Sequence, residues 1–370
     1  MNKHLLILIS VIVTTIYFEL AQGESSVSQT TTVAKPNIVL FLVDDMATAD
    51  IKYMPYLSQL AKAGIQFTRF VTPTPWCVPS RASILRGQYS SNTHMDIDPG
   101  FYTFYQLGFE KETVAVWLQR AGYTTGLFGK YLNGYMQENS VKKSYVPPGW
   151  SEWYAGAQPK GYNFTLNENG VVVEYKEPGP HVDDELARLA VRFIDNHYNE
   201  PMFLYIASTS PHLPAIPAHR HEERFSQAKS TPQSPSFNEE DVSDKPMYVQ
   251  KSHKKPANFP TRLNQFRNRL RSLLSVEDLI KSVMEALAKH DVLNNTYFVF
   301  VSDNGWHYGE HRITDAKITP YEAANIVPAW IWGPGIPAGV SRDHLVANSD
   351  LAQTFVEWGG GERRVFRRWS

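Results

Sequence analysis

The sequence predicts an α/β fold: a mainly parallel sheet with helices on both faces. Three observations carry that reading. Short apolar runs rich in β-branched residues recur along the chain, helical patterns stand between them, and the runs give way to polar residues. At 370 residues, 42% of them hydrophobic, the chain holds enough apolar material for a sizeable core, which excludes the disordered and fibrous classes.

Residues 1–23 read as a secretory signal peptide: Lys3 and His4 open it, an apolar run from Leu5 to Phe18 follows, and Ala21-Gln22-Gly23 offers small residues for cleavage. The run is too short to cross a bilayer comfortably, so no stable membrane span is expected. Residues 24–35 form a linker and 36–358 the main domain. Buried strands are predicted at Asn37 to Val43, Thr124 to Phe128, Met202 to Ala207, Tyr297 to Val301 and Ile326 to Trp332, each a short apolar run. Helices are predicted at Met54 to Ala63, Thr113 to Ala121, Asp183 to Tyr198 and Leu263 to His290; Gly64 and Gly122 close the first two. Residues 226–260, rich in Ser, Pro, Lys and Asn, read as an exposed insertion bordering a substrate cleft, and 359–370 as a basic tail.

In open parallel sheets, ligands bind beyond the carboxyl ends of the strands, so the residues after each run matter. Asp44-Asp45 follow the first run, Gly129-Lys130 the second, Ser210-Pro211-His212 the third and Asp303-Asn304-Gly305 the fourth. Asp44, Asp45, Asp303 and Asn304 supply oxygen ligands without thiolate or obligatory imidazole. That set suits a hard divalent cation, calcium above all in an extracytoplasmic space, better than zinc. Arg81, Lys130 and Lys317 add positive charge, and His212 titrates near neutral pH and can give a proton to a leaving oxygen. Metal and cations together would share the negative oxygens of a sulfate or phosphate ester.

Lys and Arg number 36 against 37 Asp and Glu, so nothing in the net charge of -1 attracts nucleic acid or an anionic membrane. The single cysteine, Cys77, excludes an intramolecular disulfide and a zinc site of several thiolates. In an oxidising compartment an unpaired thiol is open to oxidation. Cys77 lies in Thr74-Pro75-Trp76-Cys77-Val78-Pro79-Ser80-Arg81, which predicts a helix with Pro79 in its first turn. Backbone N–H groups at such a start face an incoming anion, and Arg81 stands within one turn. A core cysteine has no use for that arrangement; a nucleophile working on an anionic ester does.

Cys77-Val78-Pro79-Ser80-Arg81 resembles the signature of the sulfatase family, whose fold belongs to the alkaline phosphatase superfamily. Pro36-Asn37-Ile38-Val39 leading to Asp44-Asp45, Gly129 to Asn133, Ser210-Pro211-His212, Ser302 to Gly305, Lys317 with Tyr321-Glu322, and Trp332-Gly333-Pro334-Gly335 agree with it. Gly129 to Asn133, Val146 to Trp150 and Tyr162 to Leu166 are similar to the N-acetylglucosamine-6-sulfatases and heparan endosulfatases. The resemblance implies a sulfuric ester hydrolase that removes sulfate from sulfated carbohydrate, of the glucosamine-6-sulfate type in glycosaminoglycans.

It further implies one calcium per chain, held by Asp44, Asp45, position 77, Asp303 and Asn304. Cys77 would be oxidised to Cα-formylglycine by a formylglycine-generating enzyme during secretion. One hydroxyl of the hydrated aldehyde would attack sulfur, and the other would then expel sulfate. Arg81 would stabilise the hydrated aldehyde, Lys130 and Lys317 would grip sulfate, and His212 would bind sulfate or protonate the leaving group. Leu132 stands where many sulfatases carry a His, so Asn133 is placed on the substrate side; His307 is read either there or in a surface loop. The sequons at Asn163 and Asn294 fit a secretory chain, lysosomal or extracellular. Family members continue into an antiparallel C-terminal subdomain, largely missing here. Two alternatives stand beside this reading: a truncated, non-catalytic sulfatase-like glycan-binding protein, and a phosphatase or phosphodiesterase of the same superfamily.

Overall fold

Seven consecutive buried residues form β1 (Asn37–Val43) where the apolar run predicts it. Successive side chains of a strand point to opposite faces. Val39, Phe41 and Val43 accordingly join one hydrophobic cluster, and Ile38, Leu40 and Leu42 the other. A strand apolar on both sides needs a covering layer on each. The helices Val182–His197 and Phe259–Lys289 supply it on the first face, and Cys77–Arg86, Val114–Arg120 and Asp350–Trp358 on the second.

This computed structural model describes residues 35–95, 100–137, 141–252, 259–313 and 317–361, all within the unit Lys35–Ser370. The signal peptide expected at 1–23, the linker up to residue 34 and the tail from residue 362 lie outside the described residues.

The remaining strands are β2 (Ile65–Phe67), β3 (Phe70–Val71), β4 (Thr124–Lys130), β5 (Glu152–Gly156), β6 (Phe164–Glu168), β7 (Val171–Tyr175), β8 (Met202–Ala207), β9 (Thr296–Ser302), β10 (Ala329–Trp332), β11 (Val340–Arg342) and β12 (Val346–Ala347). Ten of them form one sheet in the order β11-β2-β10-β9-β1-β8-β4-β5-β6-β7, and β3 pairs with β12. The central run β9-β1-β8-β4-β5 is parallel throughout, whereas β10, β6 and β7 pair antiparallel towards the edges. The predicted class, a mainly parallel sheet covered on both faces, is observed.

Two strand boundaries differ by two residues or more from the sequence reading. β4 continues through Gly129-Lys130, which were expected just beyond it. Gly129 pairs with Ala207 at φ 110°, where a Cβ would sit 2.1 Å from the Ala207 carbonyl oxygen, so only glycine keeps the strand paired there. β10 starts at Ala329 rather than Ile326. A short helix, Glu322–Asn325, occupies the approach, and Pro328 has no N–H to give a ladder. Residues 226–251 are mostly exposed, enter a short helix, Met247–Ser252, and are pinned to the loop beyond β9. Asn238 N–H donates to Gly309 O at 2.8 Å, and His311 N–H to Ser236 O at 2.8 Å.

Candidate active site

Because β1, β4, β8 and β9 run parallel, their carboxyl ends open on one side of the sheet, and the predicted residues meet there. Backbone bonds lock the ends together: Asp44 N–H donates to Ser210 O at 3.1 Å and Asp303 N–H to Val43 O at 3.0 Å. Asp45 takes a left-handed conformation, φ 69°, and its N–H donates to Asp303 Oδ1 at 3.1 Å. Asn304 Nδ2 donates to Asp45 Oδ1 at 2.7 Å.

The helix that starts at Cys77 enters this cluster. Cys77 Sγ is buried, 3.4 Å from Asp44 Oδ1, and Lys317 Nζ donates to it at 2.8 Å and to Asp45 Oδ1 as well. One turn on, Arg81 Nε donates to Asp303 Oδ2 at 2.8 Å and a terminal nitrogen to the Lys130 carbonyl at 3.2 Å. Lys130 Nζ donates to Asp44 Oδ2 at 2.5 Å. His212 Nε2 lies 3.7 Å from Asp45 Oδ2. Nine predicted residues, Asp44, Asp45, Cys77, Arg81, Lys130, His212, Asp303, Asn304 and Lys317, thus form one connected group.

Charge accounts for the protonation states. Burial opposes ionisation of Asp44, but Lys130, His212, Arg81 and Lys317 outweigh it and hold its carboxyl well below the usual range. Asp303 pays more dearly for burial and faces the Asp44 carboxylate, so its pKa is pushed up to about 6 despite Arg81. Burial, then the Asp44 carboxylate, pushes the Cys77 thiol up to about 12. A protonated thiol is a poor nucleophile. Burial lowers the His212 pKa against the pull of Asp44 and Asp45.

One ligand atom each from Asp44, Asp45, Cys77 and His212 lies within 4.8 Å of the others. Two acceptors in the cluster, Asp45 Oδ2 and Asn304 Oδ1, are buried with no hydrogen-bond partner. Such groups cost about 1–3 kcal/mol each when left unpaired, and a hard cation bound by oxygens would satisfy both. The oxygens of Asp44, Asp45 and Asn304 therefore fit a hard cation such as calcium, whereas the sulfur and imidazole nitrogen nearby do not add to that set. Of the expected ligands, Asp303 has one oxygen on Asp45 N–H and the other on Arg81.

Asn133 and His307 stand apart. Among the described residues no side-chain hydrogen bond joins Asn133 to the cluster; its backbone carbonyl accepts Phe101 N–H at 2.7 Å. His307 is buried, which corrects the surface-loop reading: its Nε2 meets Thr319 Oγ1 at 2.7 Å and ties the loop after Asn304 to the loop of Lys317. Residues 232–236 line a cavity of about 690 Å³, together with Lys52, Trp306, Glu310 and Glu322. Asn163 and Asn294 are exposed.

Sequence reasoning missed three supporting residues. Arg269, fully buried on the long helix, donates to the backbone carbonyls of Asp45 at 2.5 Å and Pro211 at 3.1 Å, and pairs with Asp50 at 3.5 Å. Asp183 accepts from Ser208 Oγ at 2.6 Å and Ser210 Oγ at 2.9 Å, bracing the loop that carries His212. Lys160, in the turn after β5, places Nζ 2.9 Å from His212 Nδ1. A charged residue in mid-helix and a Pro-Lys-Gly turn carry no periodic signal of such contacts.

A family model described as sulfatase matches residues 36–361. The chain belongs to the sulfatase family. The N-acetylglucosamine-6-sulfatase of Homo sapiens is 33% identical over 88% of this chain and 61% of its own length. An extracellular sulfatase SULF-1 homolog of Drosophila melanogaster is 32% identical over 88% of this chain and 30% of its own. The chain therefore spans between about a third and three fifths of these sulfatases. Among solved structures, a protein in complex with its substrate D-glucosamine-2-N,6-O-disulfate superposes with a TM-score of 0.70, at 22% identity over 89% of this chain and 77% of that one. A phosphonate monoester hydrolase from Silicibacter pomeroyi gives 0.67 at 18% identity, over 89% and 74%. At these identities the two structures speak for the sulfatase fold alone. Among the described residues no helix is long and apolar enough to cross a membrane.

Proposed function

We propose that this chain is a calcium-dependent sulfuric ester hydrolase acting on sulfated carbohydrate, of the glucosamine-6-sulfate type found in glycosaminoglycans. The observation that carries the reading is the setting of position 77. Its Sγ lies between Lys317 Nζ and the Asp44 carboxylate, at the start of a helix, beside two buried oxygen acceptors without partners. An anionic ester there would meet cations on several sides.

Asp44, Asp45 and Asn304, with Asp303 behind them, would hold calcium, which when bound supplies Lewis-acid stabilisation of negative charge on the ester oxygens. Cα-formylglycine made from Cys77 would supply the hydroxyl nucleophile. The chain's own residues do the rest. Lys317 Nζ, now on Sγ, would hold the oxygen that replaces sulfur. Arg81 is fixed on Asp303 and keeps the helix start in register with the carboxylates. Lys130 balances Asp44 and adds positive charge where negative charge develops. His212 presents Nε2 towards Asp45, and a proton carried on that atom would pass to the departing alcohol oxygen.

The relatives named above support the glucosamine-6-sulfate reading, and the exposed sequons at Asn163 and Asn294 support passage through the secretory pathway to the lysosome or the exterior. Peptide mass spectrometry across Cys77, on protein secreted from cells that hold the formylglycine-generating enzyme, tests the central step. Conversion of Cys77 to the aldehyde is expected, and an unmodified thiol throughout would sink the mechanism. Hydrolysis of an aryl sulfate set beside an aryl phosphate separates a sulfatase from a phosphatase, and defined sulfated disaccharides then test the sugar.

A further inference from the structure

Among the described residues of this site, Lys160 is a cation with no carboxylate at ion-pair distance. Arg81 faces Asp303, Lys130 faces Asp44 and Lys317 faces Asp45. Lys160 Nζ instead donates to the Leu213 carbonyl at 2.7 Å and lies 2.9 Å from His212 Nδ1, which itself meets that carbonyl at 2.6 Å. Its place is set by the backbone: the neighbouring Gly161 carbonyl accepts Val182 N–H at 2.8 Å at the start of a long helix, and Pro159 beside it is buried. The side chain itself is half-buried, so its charge is only partly answered by water.

Position then decides what Lys160 can meet. The His212 ring separates it from the cluster: Nε2 faces Asp45 on one side, and Nδ1 faces Lys160 on the other. Among the described residues Lys160 Nζ hydrogen-bonds neither Lys317 nor Lys130, which would hold a sulfate at position 77, and so stands outside that pair. A second anionic group on the same sugar, a few bonds from the ester, is the partner its place suits. We propose that Lys160 is a specificity-determining residue that reads a second negative group, an N-sulfate or carboxylate, on the sugar bearing the scissile sulfate. An ammonium on a flexible stem suits a compact anion at the rim of a pocket. The inference rests on the sulfuric ester hydrolase reading and deepens it.

Calorimetry on the full chain carrying Cys77→Ser, which cannot turn over, tests it with glucosamine 6-sulfate and glucosamine 2-N,6-O-disulfate as probes. The disulfate is expected to bind about 10-fold tighter, as a partly desolvated charge contact can provide. Adding Lys160→Met should bring that ratio to about 1, and Lys160→Arg should keep most of it. If the unsubstituted background shows no disulfate preference, or if Lys160→Met weakens both sugars alike and leaves the ratio intact, the proposal is overturned; in the second case Lys160 acts only through His212. Lys160→Gln repeats the measurement should the Met variant fold poorly. Aryl sulfate hydrolysis by the modified wild-type enzyme is scored separately: its absence counts against the sulfatase reading, while the binding ratio still judges Lys160.

Discussion

A carboxylate buried among cations stays ionised, and one buried beside another carboxylate gives up its proton less readily; Asp44 and Asp303 divide in this way. Asp45 is the residue on which calcium would depend most directly, through an oxygen that no protein group satisfies. Asp45→Asn is therefore expected to weaken calcium binding by at least about 10-fold, measured by calorimetry on the apo chain. A second titration lies away from the site. Burial raises Glu110 to about 7, although Tyr145 and Tyr131 donate to it. Its folded pKa lies above its unfolded value of 4.5, so the native state binds the extra proton. The stability this confers is complete below about pH 4.5 and is lost as pH rises through about 7. Urea midpoints of wild type and Glu110→Gln, followed from pH 4 to 8, should change their difference inside that window and hold it constant outside; parallel curves would refute the assignment. Residues at strand ends, such as Asp44 and Asp303, could be read from the sequence because strand ends are where ligands gather. Lys160 could not, because its role depends on a turn folding against His212.

At the scale of elements, the long helix Phe259–Lys289 does more than cover the sheet. Arg269 holds the carbonyls of Asp45 and Pro211 from that helix, with Trp306 stacked 4.2 Å from its guanidinium and Tyr308 bonded to both Arg269 and Asp50. Arg269→Met should destabilise the fold by about 3–5 kcal/mol in urea denaturation, because it leaves Asp50 buried without its counter-ion. Adding Asp50→Asn should restore part of the loss, a coupling that a double-mutant cycle reads directly. The β6–β7 hairpin was not anticipated, although its signal is present. Asn169-Gly170 joins two short runs, and both residues have positive φ, 51° and 93°, as a type I′ turn requires. Gly170→Ala should cost about 1–2 kcal/mol by the same denaturation assay, from backbone conformation alone, since its nearest neighbour is 3.7 Å away.

Over the whole molecule, stability should be graded across the sheet. β1, β8 and β9 are buried on both faces and paired on both sides, whereas β7 is an edge strand with exposed valines, Val171 and Val172. Hydrogen exchange is expected to reach β7 well before β1, β8 and β9; equal rates would show that the sheet opens as one unit. The strands legible beforehand were these central ones together with β4 and β10, because burial on both faces writes a continuous apolar run. The short or half-exposed strands β2, β3, β5, β11 and β12 leave no such trace, and their pairing is dictated by neighbours distant in the chain. The chemistry of the pocket was likewise present in local motifs: a lone cysteine at a helix start, acids after apolar runs, basic residues close behind. Folding contributed what no local pattern can hold. It closed nine dispersed residues into one group, eight of them joined by hydrogen bonds and His212 beside Asp45, put His307 inside rather than on the surface, and brought Arg269 and Lys160 against the loops they support. Local composition records which chemistry a segment can perform, but distances between segments exist only once the sheet has set them.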